Sequence, residues 1–446
     1  MKNLLNRLFH LRPEETGIVI ILGIILFGNA VARQVTGIVA ISGLITEGSV
    51  YQVLIVWVID YGIILLTGGL QSLVVDRVDR YTLIKWITLA FAIIFTLTRL
   101  MFFLKLNVWF NYAVLYILAE QQYIFFPLVF WVLANDIFDM AQAKRLFPII
   151  ASWNFIGVIF GTFITAFSPE YFNRLNLPQE NILLFNTFIY ILIFFVVMVC
   201  LRQIKRRATV YTHEPVGKTL TEGWGFIREV PSFRYLMLAM ILVILCDTII
   251  EFHFLVITNN AFPTQEGYQR FYSLYRMGLN ISIIVVQGFL ASRIIEKVRL
   301  KNIFFLYPIQ VVAGALGLIF SSSLGMAVYA LGGLRFIRDT VDENSRKAFQ
   351  ALVPEERRGR VSTFMDTYLP AVGTILGCLL IGIIVAIGIF TNNANFYYVY
   401  LGVAVIAGLV SLWIVRKMKK SYDSSMLNWR LKRRQRGASV LDNIDL

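Results

Sequence analysis

The chain has 446 residues, 58% of them hydrophobic and 15% charged, with a mean hydropathy of +0.69, a balance too apolar for a soluble protein with a core and a polar surface. The formal net charge of +14 could suggest nucleic acid, but the basic residues lie in the connections between apolar runs, so they read as membrane topology and nucleic acid is set aside as a partner. Cys200, Cys246 and Cys378 all lie in apolar runs at spacings that suit neither a disulfide framework nor a zinc site, so no metal or other cofactor is expected.

In chain order, the opening MKNLLNRLFHLRPEE has no small-residue cleavage site and precedes a long apolar run, which predicts a retained cytosolic end with a short interfacial helix. Apolar runs of about 20 residues, the length that crosses a bilayer, predict twelve spans: Gly17–Ile45, Val50–Val74, Trp86–Leu104, Val108–Leu133, Leu146–Phe167, Ile182–Leu201, Leu236–Phe262, Phe271–Leu290, Ile303–Phe320, Leu324–Phe336, Val361–Phe390 and Phe396–Val415. The tenth is short in apolar terms, so its helix is expected to continue with a polar face toward the protein. Residues 202–235, rich in Pro, Gly and charge, form the one long linker, with an amphipathic helix expected around Leu220 to Arg228. The fold expected is an all-α membrane protein: a six-helix bundle over 1–201, the linker, a second six-helix bundle over 236–415 and a basic tail over 416–446.

Lys and Arg fall 33 to 3 between alternate sets of connections, which places both chain ends in the cytosol, in a multi-pass protein assigned to a bacterial inner membrane. The tail, with LKRRQRGAS, would meet anionic lipid as a secondary use. A monomer is expected.

Polar side chains inside the spans are costly in hydrocarbon, so each is a candidate for function. Span one carries Asn29 and Arg33, span two Asp60, span four Glu120, span seven Asp247 and Glu251, span eight Arg276, and spans ten and eleven Arg335, Arg338, Asp339, Asp342 and Asp366. Helical spacing puts Asn29 with Arg33, Asp247 with Glu251, and Arg335, Arg338, Asp339 and Asp342 on shared faces, as cavity-lining helices require. Ion pairs that merely fix helix packing are the alternative reading. At the cytosolic turns, Asp76, Arg77 and Arg80 are assigned to a conformational latch, whereas Asp136, Lys144 and Arg145 fit a latch or a solvated loop equally. Gln121, Gln122 and Asn280 suit either cavity lining or interhelical hydrogen bonds.

The halves repeat at an offset near 216 residues. Gly157 and Gly161 fall on Gly373 and Gly377, a small-xxx-small spacing that lets two helices approach closely once in each half. The same offset sets Arg33 between Asp247 and Glu251, Asp60 on Arg276, and Glu120 beside Arg335. Opposite charges on equivalent helices are expected to face one another across a central cavity. The turn LVVDRVDRYTLIKW, with Asp76, Arg77 and Arg80, resembles the signature between spans two and three of the major facilitator superfamily, although Asp79 stands where that pattern has Gly. The resemblance implies two pseudo-symmetric bundles that rock about a midplane site.

Ala119-Glu120, Phe130-Trp131, Ala134-Asn135 and Gln142-Ala143-Lys144-Arg145, followed by Phe147 and Pro148, resemble the ATP/ADP exchangers of plastids and obligate intracellular bacteria, the nucleotide transporter family. Glu251, Asn260, Pro263, Glu266 and Tyr268, and then Gly359, Asp366 and Gly373, extend the resemblance along the chain. It implies exchange of nucleotides, with Glu120 and Glu251 at the family's functional glutamates. The family's Lys-Asp of span one is Thr36-Gly37 here, and its lysines of spans two and eleven fall near Ile55 and Val372. Arg33, Arg276, Arg335 and Arg338 therefore remain as the cations able to grip an anion.

With no GxxxxGK loop, HExxH, paired His or GxSxG in the sequence, neither ATP-driven pumping nor enzyme chemistry is expected. The reading is a secondary transporter of a small anionic or phosphorylated solute, a nucleotide by preference, working by alternating access. Its alternatives are a proton-coupled carrier of an unrelated small molecule and a membrane scaffold without transport.

Overall fold

A computed structural model describes residues 12–77, 79–202, 224–226, 228–289, 300–350, 353, 361–392 and 395–441. The expected N-terminal interfacial helix and most of the linker lie outside them.

The described residues are built from helices. They run α1 (Pro13–Thr46), α2 (Val50–Arg77), α3 (Arg80–Phe103), α4 (Val108–Ile137), α5 (Met140–Arg174), α6 (Ile182–Cys200), α7 (Pro231–Ala261), α8 (Gln265–Phe289), α9 (Leu306–Phe320), α10 (Leu324–Ile337), α11 (Leu369–Phe390) and α12 (Tyr397–Leu441). Short polar connections set the helix starts, where a side-chain oxygen satisfies a backbone N–H that the first turn leaves open. Asp79 accepts from Thr82 N–H at 3.0 Å before α3 and Asn107 from Phe110 N–H at 3.3 Å before α4. Before α5, Asp139 accepts from Gln142 N–H at 2.7 Å while the Gln142 side chain accepts from Asp139 N–H at 3.1 Å, a reciprocal capping box. Lys105, Asn176 and Asn392, with φ of 52°, 52° and 50°, turn the chain out of α3, α5 and α11.

Among the described residues, nine helices are long and apolar enough to cross a membrane, which makes the protein a multi-pass integral membrane protein. The predicted eighth and tenth spans fall short of that standard. Helix α2 runs over 28 residues and is apolar over its described side chains, Val50–Leu66. Helix α8 has 25 residues but carries Glu266, Arg270 and Arg276. Helix α10 has 14 residues, then continues without a break through a π-helical turn (Arg338–Asp342) into a polar α-helical stretch (Glu343–Gln350), as its short apolar run implied. A second π-helical turn (Phe364–Tyr368) leads into α11.

The repeated glycines do what their spacing predicts. A Cβ on Gly157 would lie 2.6 Å from the Phe27 carbonyl oxygen, and one on Gly161 2.9 Å from that of Val31, so α5 rides directly on the backbone of α1. A Cβ on Gly373 would lie 3.1 Å from the Ile241 carbonyl oxygen, and one on Gly377 3.2 Å from that of Leu245, giving the same seam between α11 and α7.

The described residues group into two compact units. The first takes its residues from Met1–Val56, Gly69–His213 and Asn259–Ile281, the second from Trp57–Gly68, Glu214–Thr258 and Ser282–Leu446. The second unit has an aromatic core at one end, where Phe349 packs against Phe233 (ring centroids 4.5 Å), Phe304 and Tyr422 (5.8 Å each).

Candidate functional site

In the first unit, α1, α4 and α6 enclose a buried polar triangle. The Tyr190 hydroxyl donates to Asn29 Oδ1 at 2.8 Å and accepts from Gln122 Nε2 at 2.7 Å, while Asn29 Nδ2 donates to the Gln122 carbonyl at 3.2 Å. Phe91 and Phe95 pack on the Tyr190 ring, at 5.0 and 5.8 Å between centroids. Asn29 thus spends its amide on holding helices together, and Gln122 proves to be an interhelical bond. One turn along α1, half-buried Arg33 sets its guanidinium 4.6 Å from the ring centroid of Tyr123 on α4. Glu120 on α4 and Arg276 on α8 lie close enough to act on Arg33 electrostatically. Arg276 itself sits 5.7 Å from the Tyr272 ring centroid. The face of α1 beyond Arg33 is closed: Thr36 donates to the Ala32 carbonyl at 2.7 Å, receives the Asn186 amide at 2.9 Å and is fully buried.

The second unit gathers charge around α7 and α10. Arg335 pairs with Glu251 and, at 3.2 Å, with Asp247, and Arg338 reaches Asp247 at 3.4 Å and Asp339 at 2.8 Å. Both carboxylates paired with Arg335 stand on α7. Asp247 is 6% exposed, whereas Glu251, Arg338 and Asp339 are half-buried. Arg346 then bridges Asp342 at 3.0 Å and Asp366 at 3.4 Å, and Gln350 also donates to Asp366 at 3.0 Å. Asp60, on the part of α2 that belongs to this unit, is 1% exposed.

The expected single stripe Arg335, Arg338, Asp339 and Asp342 is divided. The π-helical turn adds a residue to one turn of the helix, shown by the bond from Glu343 N–H to the Arg338 carbonyl five positions back, and this rotates the C-terminal remainder of the helix. Arg335 and Arg338 engage α7, whereas Asp342, with Arg346, engages Asp366 in the turn before α11.

Of the latch residues, the structure joins Arg80 to Asp136 at 3.4 Å, across the ends of α3 and α4. Arg145 pairs at 2.8 Å with Glu15 at the start of α1, and Gln142 donates to the same oxygen at 3.1 Å. Asp76 and Arg77 lie in the last turn of α2 and Lys144 in the first turn of α5; their side chains lie outside the described ones. Sequence reading missed Glu15, Tyr123, Tyr190 and Arg346. Arg346 was within reach, four residues after Asp342, and Glu15 stands at the third position of α1. Tyr190 and Tyr123 look like any aromatic of an apolar run.

The chain is similar to known proteins at two levels, family and fold. The family described as TLC ATP/ADP transporter matches residues 82–323. ADP,ATP carrier protein 3 of Rickettsia typhi is 36% identical over 70 residues, 16% of this chain and 14% of that protein. The protein of that name from Rickettsia conorii is 36% identical over 66 residues, 15% of this chain and 13% of that one. The chain therefore matches about a seventh of the length of these relatives. Among solved structures, a bacterial homologue of the iron transporter ferroportin has a TM-score of 0.64 at 13% identity, covering 92% of this chain and 100% of that one. A bacterial homologue of the human lysosomal transporter Spinster scores 0.63 at 13%, covering 93% and 99%. The nucleoside transporter NupG scores 0.58 at 14%, covering 91% and 98%. At these identities the likeness is one of fold, and the fold is that of the major facilitator carriers.

Proposed function

The chain belongs to the TLC ATP/ADP transporter family, and from that premise we propose that it is a secondary carrier exchanging a small phosphorylated anion, nucleotide-like in its chemistry, by alternating access. The observation that carries the reading is Arg33: a half-buried guanidinium inside a membrane span, stacked on Tyr123 and within the field of Glu120 and Arg276. A cation held there is expensive unless it meets an anion, and guanidinium offers phosphate a two-pronged grip. Glu120 is the charge that Arg33 answers to when substrate is away, so the two exchange partners as substrate enters. Arg276 adds positive charge in the first unit; in the second, Asp247 and Glu251 hold Arg335, Asp247 also holds Arg338, and Asp60 and Asp366 are assigned to substrate binding as well. Arg80–Asp136 and Arg145–Glu15 are the latch at one end of the first unit, with Asp76, Arg77 and Lys144 assigned to the same end. In this reading the protein works as a monomer in a bacterial inner membrane with both termini in the cytosol, and the charge asymmetry of its connections supports that orientation.

Uptake of labelled ATP and ADP into proteoliposomes, with and without unlabelled nucleotide inside, tests the proposal beside a Glu120→Gln variant. Uptake that needs internal nucleotide and falls at least about tenfold in the variant, roughly 1.4 kcal/mol of barrier, is the expected result. Equal uptake by the variant would remove Glu120 from the mechanism. A second reading, proton-coupled transport of another small molecule, draws on the carboxylates gathered around α7 and α10, Asp247, Glu251 and Asp339, and a pH gradient that drives uptake without internal nucleotide would favour it.

A further inference from the structure

Two exposed cations of the described helices, Arg174 and Lys347, have carboxylates of their own: Glu170 and Glu343, each four positions earlier. The charged turns of α12 are built differently. Helix α12 has 45 residues, about 67 Å at 1.5 Å per residue, more than twice the roughly 30 Å of a bilayer's hydrocarbon core. Its first part, residues 397–415, contains no charged residue and at about 28 Å fills that core by itself. Arg416, Lys417, Lys419 and Lys420 follow directly. One face of the helix packs inward here. Ile414, Val415 and Met418 are buried, and farther up the helix a Cβ on Gly408 would lie 2.8 Å from Val312 of α9. The opposite face carries Trp413, Arg416, Lys417 and Lys420 at i, i+3, i+4 and i+7, all four exposed. Lys417 Nζ lies 3.5 Å from the Trp413 ring centroid, and half-buried Lys419 lies 5.9 Å from that of Phe305, just before α9. Among the described residues, none of these four cations has a carboxylate within ion-pair distance. Beyond Tyr422 the helix runs on to Leu441, over a sequence with Arg430, Lys432, Arg433, Arg434 and Arg436 against a single carboxylate, Asp423.

We propose that this outward face of α12 is a binding site for an anionic phospholipid. The headgroup phosphate meets Arg416, Lys417 and Lys420, and the acyl chains lie along Ile406, Leu409 and Val410, which are exposed on the same side of the helix. Three features favour lipid over a soluble polyanion. The cations begin where the uncharged stretch ends, at headgroup depth. Trp413 stands at the level where such rings settle, between hydrocarbon and water. The basic face also continues into an apolar one, which a phosphate without acyl chains would leave unused. Each Lys or Arg near an anionic surface strengthens attraction about fivefold, and Arg416 can grip phosphate with two donors. The lipid contact expected of LKRRQRGAS thus begins nearer the membrane, on described side chains. The site requires only that α12 crosses the bilayer, whichever solute the carrier moves.

The experiment is native mass spectrometry of the purified full chain in neutral detergent, titrated with phosphatidylglycerol and, separately, with phosphatidylcholine. Phosphatidylglycerol should bind at least about tenfold tighter. A triple variant, Arg416→Gln with Lys417→Gln and Lys420→Gln, should lose at least about tenfold in affinity for phosphatidylglycerol and keep its affinity for phosphatidylcholine. A control with Arg174→Gln and Lys347→Gln should bind phosphatidylglycerol as wild type does. Each variant is checked for an unchanged thermal midpoint, and where the triple variant does not fold, Lys417→Gln alone carries the comparison with a loss of about threefold or more. Equal affinity of the wild type for the two lipids, or unchanged phosphatidylglycerol binding in the triple variant, would overturn the proposal. An equal loss in the control would reduce the effect to net charge and overturn it as well. Oligothymidine is added to the chain in phosphatidylcholine nanodiscs as the soluble polyanion. Its binding, lost in the triple variant while phosphatidylglycerol binding persists, would give the face to nucleic acid instead.

Discussion

Arg335→Gln tests the charge cluster of the second unit most directly. Arg335 is the cation shared by both carboxylates of α7, and Asp247 lies 3.2 Å from it at 6% exposure. Glutamine keeps hydrogen-bonding capacity but removes the charge. Taking one partner from a buried ion pair costs about 3–5 kcal/mol, because the other charge stays buried. Here Asp247 keeps Arg338 at 3.4 Å and Glu251 is half-buried, so the lower end applies, about 3 kcal/mol. At roughly 2–4 °C per kcal/mol for a folding unit of this size, the thermal midpoint should fall by about 6–12 °C. Adding Asp247→Asn removes one of the stranded charges and should restore at least half of the loss, a non-additive result that a double-mutant cycle reads directly. Tryptophan fluorescence of the detergent-purified chain during heating is the assay. A midpoint for Arg335→Gln within 1–2 °C of wild type, roughly 0.5 kcal/mol, or a double variant worse than the sum of the singles, would refute the reasoning.

Tyr190→Phe strips the hydroxyl that joins Asn29 to Gln122 and leaves two buried polar groups short of a partner, which should cost about 2–4 kcal/mol; an unchanged thermal midpoint would remove the triangle from the account of stability. Gly157→Ala places a Cβ against the Phe27 carbonyl and should destabilise by about 1–3 kcal/mol, as should Gly373→Ala in the other seam, whereas Gly62→Ala, whose Cβ meets nothing within 4 Å, should be neutral or stabilising in the same melt. Arg80→Ala breaks the bridge to Asp136 and should change the exchange rate at saturating substrate several-fold with little change in Kd; a large loss of affinity at unchanged rate would argue against a latch.

The readable part of this molecule was its periodicity. Bilayer-length apolar runs located the helices, and the four spaced glycines located both seams, because close backbone approach leaves no choice of residue. Asp247 and Glu251, four apart, do converge on one arginine. The limits have equally physical causes. Helix α8 mixes Arg276 and Glu266 into a span, so hydropathy alone undervalues it, and the apolar part of α10 ends where Arg335 and Arg338 enter. Tyr190 has no pattern of its own, since an aromatic residue in an apolar helix looks alike whether it faces lipid or ties Asn29 to Gln122. Asn29 read as a lining residue because a polar side chain in a span attracts a ligand as readily as a neighbouring helix. The split of the α10 stripe could not be read at all, because a π-helical turn leaves no mark in a helical periodicity count.

That turn makes the orientation of Arg346 a matter of counting. In an uninterrupted α-helix each residue advances the azimuth by about 100°, so a position eleven residues after Arg335 would return to nearly the same bearing and Arg346 would point toward α7. The surplus residue within Arg338–Asp342 sends it instead to Asp366, which stands in a surplus turn of its own at Phe364–Tyr368. Deleting a single residue from either turn would wind that helix back into phase and separate the pair without altering any charge. Insertions and deletions at these two places therefore act as angular adjustments.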